Sequence, residues 1–217
     1  MLPQPVYFAL LGNFDLFWMI TYILIIRRGF KDKVYAVPFI ALAVNTAWDF
    51  FGAFVYPSPY IQYLFNIVYF VIDLVLLYQV VRYWRAVHPK LQAWQFYGLV
   101  IVAYMATFTV YTAAVTDLND QAGVKTAWVD TFIDAILFVG MFFGRADLAG
   151  QSLYIALGKI IGTGSAVIAV SFNPIVGVKD ASILPWLYFW ILALNILYAG
   201  LVYRRSRQLG IRPWQRA

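Results

Sequence analysis

The sequence contains no cysteine, so neither a disulfide framework nor a thiolate metal site is available to it. Glutamate is absent too, and all ten acidic residues are aspartate. Histidine occurs once, as His88 between two apolar segments, so no imidazole-based metal site or triad can form within them. There is no aspartate-rich DDxxD cluster, which argues against magnesium-assisted ionisation of a diphosphate. No Walker-type or dinucleotide-binding glycine pattern appears either. Charge itself is scarce: Asp, Lys and Arg make up 12% of the 217 residues, against about a quarter in a soluble domain. A soluble fold of this size could not cover itself with so little polar surface.

Apolar residues fill the gap, at 63% of the chain with 19% aromatic. They fall in blocks of about 20, the length that crosses a ~30 Å hydrocarbon layer as a helix. Seven such blocks are expected near 6–26, 34–56, 60–81, 93–115, 127–143, 153–172 and 183–203. The fold class expected is all-α: one polytopic domain over residues 1–217 with seven transmembrane helices. The start, Met1-Leu2-Pro3-Gln4-Pro5, carries no Lys or Arg, which argues against a cleavable leader. Pro5, Pro38 and Pro185 fall in first turns, where a missing N–H costs little, and Pro57 and Pro59 suit a tight turn between helices 2 and 3.

Thirteen of the sixteen basic residues lie on one set of alternating connections: Arg27, Arg28, Lys31 and Lys33, then Arg82, Arg85 and Lys90, then Arg145, then the tail from Arg204 to Arg216. Only Lys125 and Lys179 lie on the other, and Lys159 is inside helix 6. Positive residues stay cytoplasmic, so this reading puts the N-terminus outside and the C-terminus inside. The net charge of +6 is then cytoplasmic anchoring rather than a nucleic-acid footprint. The implied location is a multi-pass membrane protein, of the plasma membrane in a bacterium or the endoplasmic reticulum in a fungus. Oligomeric state is left open.

Five aspartates, Asp15, Asp49, Asp73, Asp130 and Asp134, fall inside the apolar blocks. A charge at mid-bilayer costs at least ~2.5–3.5 kcal/mol, so these side chains should face the bundle interior. Asn45 lies four before Asp49 and Asn66 seven before Asp73, spacings that share a helix face. At ~1.5 Å per residue, Asp49, Asp134 and Asn66 sit roughly 10 Å below the outer surface, with Asp15 and Asn195 slightly deeper. Helices 1, 2, 3, 5 and 7 are thus expected to surround one polar cavity. Asp73 and Lys159 are deeper and close enough in level to pair, whereas Asp130 reads as an interfacial, solvated group. Asp49 and Asp134 have no obvious basic partner at their depth. A lone carboxyl in apolar surroundings holds its proton and can donate it. Trp84, Trp94, Trp186 and Tyr203 read as interfacial belt residues. The deeper aromatics Trp18, Trp48, Tyr69, Phe70, Phe138, Trp190 and Tyr198 include candidates to line a cavity, where ring faces stabilise cations. Helix 4, free of charge in its span, reads as a lipid-facing element.

The stretch Asn45-Thr46-Ala47-Trp48-Asp49-Phe50-Phe51-Gly52-Ala53-Phe54 resembles the second-helix signature of the small seven-helix membrane-integral terpene cyclases of meroterpenoid and indole-terpenoid biosynthesis. That family carries an Asn-x-x-Trp-Glu-type motif whose acid is thought to start cyclisation by protonation; here the acid is Asp49. Size, helix number and aromatic content agree along the whole chain, while the specific match covers about ten residues. One departure is plain. The family's last helix is expected to hold a second acid, and Leu194-Asn195-Ile196-Leu197-Tyr198 has Asn195 in that place.

The resemblance implies a class II type cyclase, without redox chemistry or diphosphate ionisation, that protonates a terminal alkene or epoxide of a farnesylated aromatic substrate. Catalytic candidates are Asp49 as acid, with Asp134 or Asp73 as the second carboxyl. Candidates for substrate contact are Asn45, Trp48, Asn66 and Asp15, together with Phe70, Trp190, Asn195 and Tyr198. The substrate would be a lipophilic molecule entering from the bilayer, with no cofactor, no metal and no nucleic acid. Two other readings compete. A seven-helix small-solute transporter should repeat helices 1–3 in helices 5–7, and only a faint echo links Trp48-Asp49-Phe50 to the Asp130–Asp134 region. A retinal protein would use a Schiff-base lysine in the last helix, whereas Lys159 is in the sixth.

Overall fold

Pro38 disfavours helix in the residue before it, and this is where the second helix starts late. A computed structural model describes residues 1–58, 62–173 and 183–216. Within them the chain forms α1 (Gln4–Asp32), α2 (Phe39–Phe50), α3 (Gln62–Val87), α4 (Ala93–Asp117), α5 (Val124–Phe143), α6 (Leu153–Phe172) and α7 (Leu184–Gln208). No strand occurs among the described residues. Six of these helices are long and apolar enough to cross a membrane, and α2 with its continuation over Phe39–Val55 is a shorter apolar helix. The expected turn at Pro59, the start of helix 3 at Tyr60 and the loop lysine Lys179 lie outside the described residues.

The helix ends differ from the apolar blocks for local reasons. α1 runs past Ile26 to Asp32, where Arg28 and Asp32 pair one turn apart, and Lys33 closes it in a left-handed conformation with φ 56°. α5 starts three residues before Ala127 because Asp120 caps it. One Asp120 oxygen accepts from Val124 N–H at 3.0 Å, the other from Thr126 N–H at 2.8 Å, and Gly123 enters at φ +70°. α2 loosens into a π-helical turn over Phe51–Val55, immediately after Asp49. Such turns recur at functional sites because they re-aim side chains within an otherwise regular helix.

α2 is the hub, packing on α3, α4 and α5, while α1 packs chiefly on α6, and α7 on α5 and α6. Among the described residues α3 and α6 make no contact, since α1 lies against both. The α1–α6 approach is close: a Cβ on Gly158 would fall 2.2 Å from Thr21 Oγ1. Small residues allow this tight packing where lipid gives no hydrophobic drive for helices to associate. The continuation of α2 lies equally close to α3, because a Cβ on Gly52 would meet Asn66 Nδ2 at 2.0 Å. α4 shows its outer face, with Trp94, Leu99, Val102, Met105 and Val110 exposed, as a lipid-facing helix should.

The connections rich in basic residues gather at one end of the bundle. Arg145 donates to Tyr35 O at 2.7 Å, and Tyr35 Oη meets His88 Nε2 at 2.7 Å. Arg216 in the tail reaches Asp32 at 2.8 Å and Leu148 O at 2.6 Å, fastening the chain's end across the α5–α6 connection.

Two substitutions test the close packing. Gly158→Leu should lower the melting temperature in detergent by roughly 5 °C or more, because overpacking a tight contact costs about 1–3 kcal/mol. Gly12→Ala, with no atom within 4 Å of the new Cβ, should not lower it.

Candidate active site

Spacings along two helices build the site. On α1, Phe14, Trp18, Tyr22 and Ile25 recur at helical intervals, and on α5 so do Ala127, Asp130, Thr131, Asp134 and Phe138. These faces, with Ala41, Leu42, Asn45, Trp48 and Asp49 of α2 and Gln62 and Tyr69 of α3, enclose a cleft of about 750 Å³, mouth included. One side is an aromatic run: ring centroids lie 5.9 Å apart for Trp18 and Tyr22, and 5.4 Å for Tyr22 and Tyr69. Asp49, Asp130 and Asp134 line the same cleft.

Asp49 is 1% exposed. Asn45, one turn earlier, donates its side-chain amide to Asp49 Oδ2 at 3.0 Å and to both oxygens of Asp73, at 3.2 and 3.1 Å. One amide thus bridges two buried carboxyl groups. The second Asp49 oxygen, Oδ1, is buried with no hydrogen-bond partner. Asp73 is fully buried and stands behind Asn45 rather than on the cleft. Trp48 presents its ring to the cleft while its indole N–H donates to Gly123 O at 2.8 Å, tying α2 to the start of α5.

Lys159 pairs with Asp134, not with Asp73. The expected Asp73–Lys159 pair fails because α1 packs between their helices, and the flexible lysine extends instead to α5. Its ammonium also lies 4.0 Å from the centroid of Phe138 and 5.0 Å from that of Trp18. Asp134 therefore has the basic partner that depth counting along the helices did not reveal.

Asp130 is the larger surprise. Expected at a wet interface, it is 7% exposed, lines the cleft, and leaves Oδ1 buried without a partner. Its signal was present in the sequence, since Asp130 and Asp134 lie one turn apart and must share a face.

Of the other candidates, Asn45, Trp48, Asp49 and Asp134 come together on the cleft, as do the aromatics Trp18, Tyr69 and Phe138. The remaining ones lie elsewhere. Asn66 is fully buried against Gly52, donating to Ser58 Oγ at 3.0 Å and accepting from Gln62 at 2.8 Å. Asp15 is buried beside α3, where Tyr69 donates to its backbone carbonyl at 3.0 Å. Phe70 packs on Phe50 and Phe54. α7 does not reach the cleft, because it packs behind α5 and α6. Trp190 is 51% exposed on the outer surface. Asn195 is buried with both side-chain polar atoms unpartnered, and Tyr198 backs Phe138 edge-on at 5.4 Å.

A model of the family described as Pyr4-like transmembrane terpene cyclases matches residues 4–208, and the chain belongs to that family. Curated relatives agree. Terpene cyclase spyD of Aspergillus fumigatus is 24% identical over 212 residues, covering 90% of this chain and 86% of the relative. The Pyr4-family terpene cyclase mfmH of Annulohypoxylon moriforme is 32% identical over 67% of this chain and 62% of its own. Terpene cyclase macJ of Penicillium terrestre is 25% identical over 69% of this chain and 60% of its own. No solved structure matches the chain. The protein is an enzyme, a terpene cyclase embedded in a membrane.

The Lys159–Asp134 pair can be tested by stability alone. Lys159→Met strands a buried carboxylate and should cost about 3–5 kcal/mol, whereas Lys159→Met with Asp134→Asn should recover most of that. Equal melting temperatures for the single and double variants would show that the two side chains are not coupled.

Proposed function

We propose that the protein starts ring closure in a farnesylated aromatic substrate by protonating the terminal alkene or epoxide of its prenyl chain, with Asp49 as the acid. The observation that carries this reading is the Asn45 bridge. It occupies Asp49 Oδ2 and joins that carboxyl to Asp73, while leaving Oδ1 without a protein partner at a cleft of aromatic rings. Two carboxyl groups that share one donor in a dry site cannot both carry a negative charge cheaply, so the cluster retains a proton. A general acid must reach the atom it protonates, and Asp49 is the bridged carboxyl that borders the cleft.

Protonation leaves a carbocation on the prenyl chain. Trp18, Tyr22 and Tyr69 offer ring faces to it, and the apolar walls keep water from quenching it before the rings close. Asp73, behind Asn45, serves as the reserve carboxyl that shares the cluster's proton. Seven crossings with the N-terminus outside and the basic tail in the cytoplasm fit the gathering of the basic connections at one end. In that frame the lipophilic substrate reaches the cleft from the bilayer.

The test uses purified protein in detergent with farnesylated and epoxyfarnesylated phenols as probes. The wild type should give a ring-closed isomer of equal mass. Asp49→Asn should reduce that conversion by at least about 100-fold while the protein elutes and melts as the wild type does. Retained turnover in this variant would sink the assignment of Asp49 as the acid.

A further inference from the structure

A second recess lies behind the seam between α2 and α5. Val37, Ala41 and Phe138 face the cleft, whereas Phe39, Leu137 and Met141 face this groove. α4 packs on α2 and makes little contact with α5, so a gap is left between α4 and α5 with α2 behind it. The chemistry of the groove is ordered along the helices. Its polar lining groups among the described residues are Tyr35, His88 and Arg145, which stand in three connections at the basic end of the bundle. Val80 and Leu137 each precede a polar member by eight residues and so lie roughly 10 Å deeper, where the lining is apolar. A slot that is apolar inside the bundle and polar at its end matches one amphiphile, a phospholipid with its chain below and its headgroup above.

Arg145 gives the polar end its sign. It is 9% exposed, and two of its N–H groups donate to backbone carbonyls, of Ala149 at 2.6 Å and of Tyr35 at 2.7 Å. A guanidinium carries five such donors, so others remain for a ligand. No carboxylate among the described residues pairs with it: Asp32 is shared by Arg28 and Arg216, and Asp147 accepts from Ala149 N–H at 3.0 Å. Arg205 adds a second guanidinium, which donates to the carbonyls of Arg145 and Ala146. A buried cation without a counter-ion is costly, and an anion seated beside it relieves that cost. We propose that this groove binds one anionic phospholipid, with its phosphate at Arg145 and one acyl chain between α4 and α5.

The lipid site is independent of which carboxyl starts cyclisation. In the orientation proposed above, the headgroup lies in the cytoplasmic leaflet, where anionic lipids gather and basic pockets between helices hold their headgroups. Gly140 and Gly144, one turn apart on α5, keep the slot wide, and a Cβ on Gly140 would meet no atom within 4 Å. An acyl chain seated there backs the α2–α5 seam, whose other face carries Asp49 and Asp134. A free phosphate ion could answer Arg145, but it would leave the apolar slot unfilled.

Native mass spectrometry of the delipidated full-length protein in detergent tests this, with dioleoylphosphatidylglycerol and dioleoylphosphatidylcholine as probes. The first phosphatidylglycerol should bind about ten-fold more tightly than phosphatidylcholine, the worth of one charge-assisted hydrogen bond. Gly140→Leu fills the slot and should weaken that binding by at least about ten-fold. Without lipid this variant should melt no lower than the wild type, because its new Cβ meets nothing and leucine favours helix over glycine. Arg145→Gln should remove the preference between the two headgroups. Inorganic phosphate in millimolar excess should leave the lipid bound. Equal affinity of the wild type for the two lipids would overturn the proposal, as would unchanged phosphatidylglycerol binding in Gly140→Leu. Complete displacement by inorganic phosphate would overturn it in favour of a site for a free anion. A dimer that Gly140→Leu dissolves, with no lipid retained by the wild type, would overturn it in favour of a second copy of the chain.

Discussion

A carboxyl group cannot face the hydrocarbon of a bilayer, and this protein buries five of them. Their need for partners organises the bundle. Asn45 exists on the right face of α2 to join Asp49 and Asp73 through one amide. Lys159 extends from α6 to meet Asp134 on α5. Each bond fixes one helix relative to another: the Asn45 bridge holds α2 to α3, and the Lys159 pair holds α6 to α5. Between them α1 presents its aromatic face, pressed close by the glycines of α6.

The same constraint separates roles among residues of one type. Aspartates held from the protein side have their chemistry set by that partner. Asp49 retains one free oxygen beside a bridged one, which suits donation of a proton. Asp134 is committed to charge neutralisation. Asp130 keeps a buried oxygen with no hydrogen-bond partner among the described residues. The π-helical turn after Asp49 and the Trp48 bond to Gly123 keep the acid's wall in register with α5. The bridged Asp49, the paired Asp134 and the unpartnered Asp130 therefore line one cleft together with the rings of Trp18, Tyr22 and Tyr69.

Much of this was legible in the sequence. Apolar block lengths placed the helices, the basic residues marked which connections share an end, and the Asn45–Asp49 spacing put both side chains on one helix face. Depth along each helix correctly put Asp49 and Asp134 at one cleft. It failed where the order of helices around the bundle mattered. Nothing in the spacing of Asp73 and Lys159 says that α1 lies between them, and nothing in Asn195 or Trp190 says that α7 packs behind α5. Asp130 was misplaced at the interface because the Asp120 cap, which lengthens α5 by a turn, is a feature of loop geometry rather than of hydropathy.

The account depends most on Asp49 being a carboxylic acid rather than a carboxylate. Infrared difference spectroscopy of the purified protein at neutral pH reads this directly, because a protonated carboxyl shows a carbonyl stretch that a carboxylate lacks. The predicted result is such a band in the wild type that shifts in heavy water and is lost in Asp49→Asn. A wild-type spectrum without that band, or one that Asp49→Asn leaves unchanged, would contradict the account.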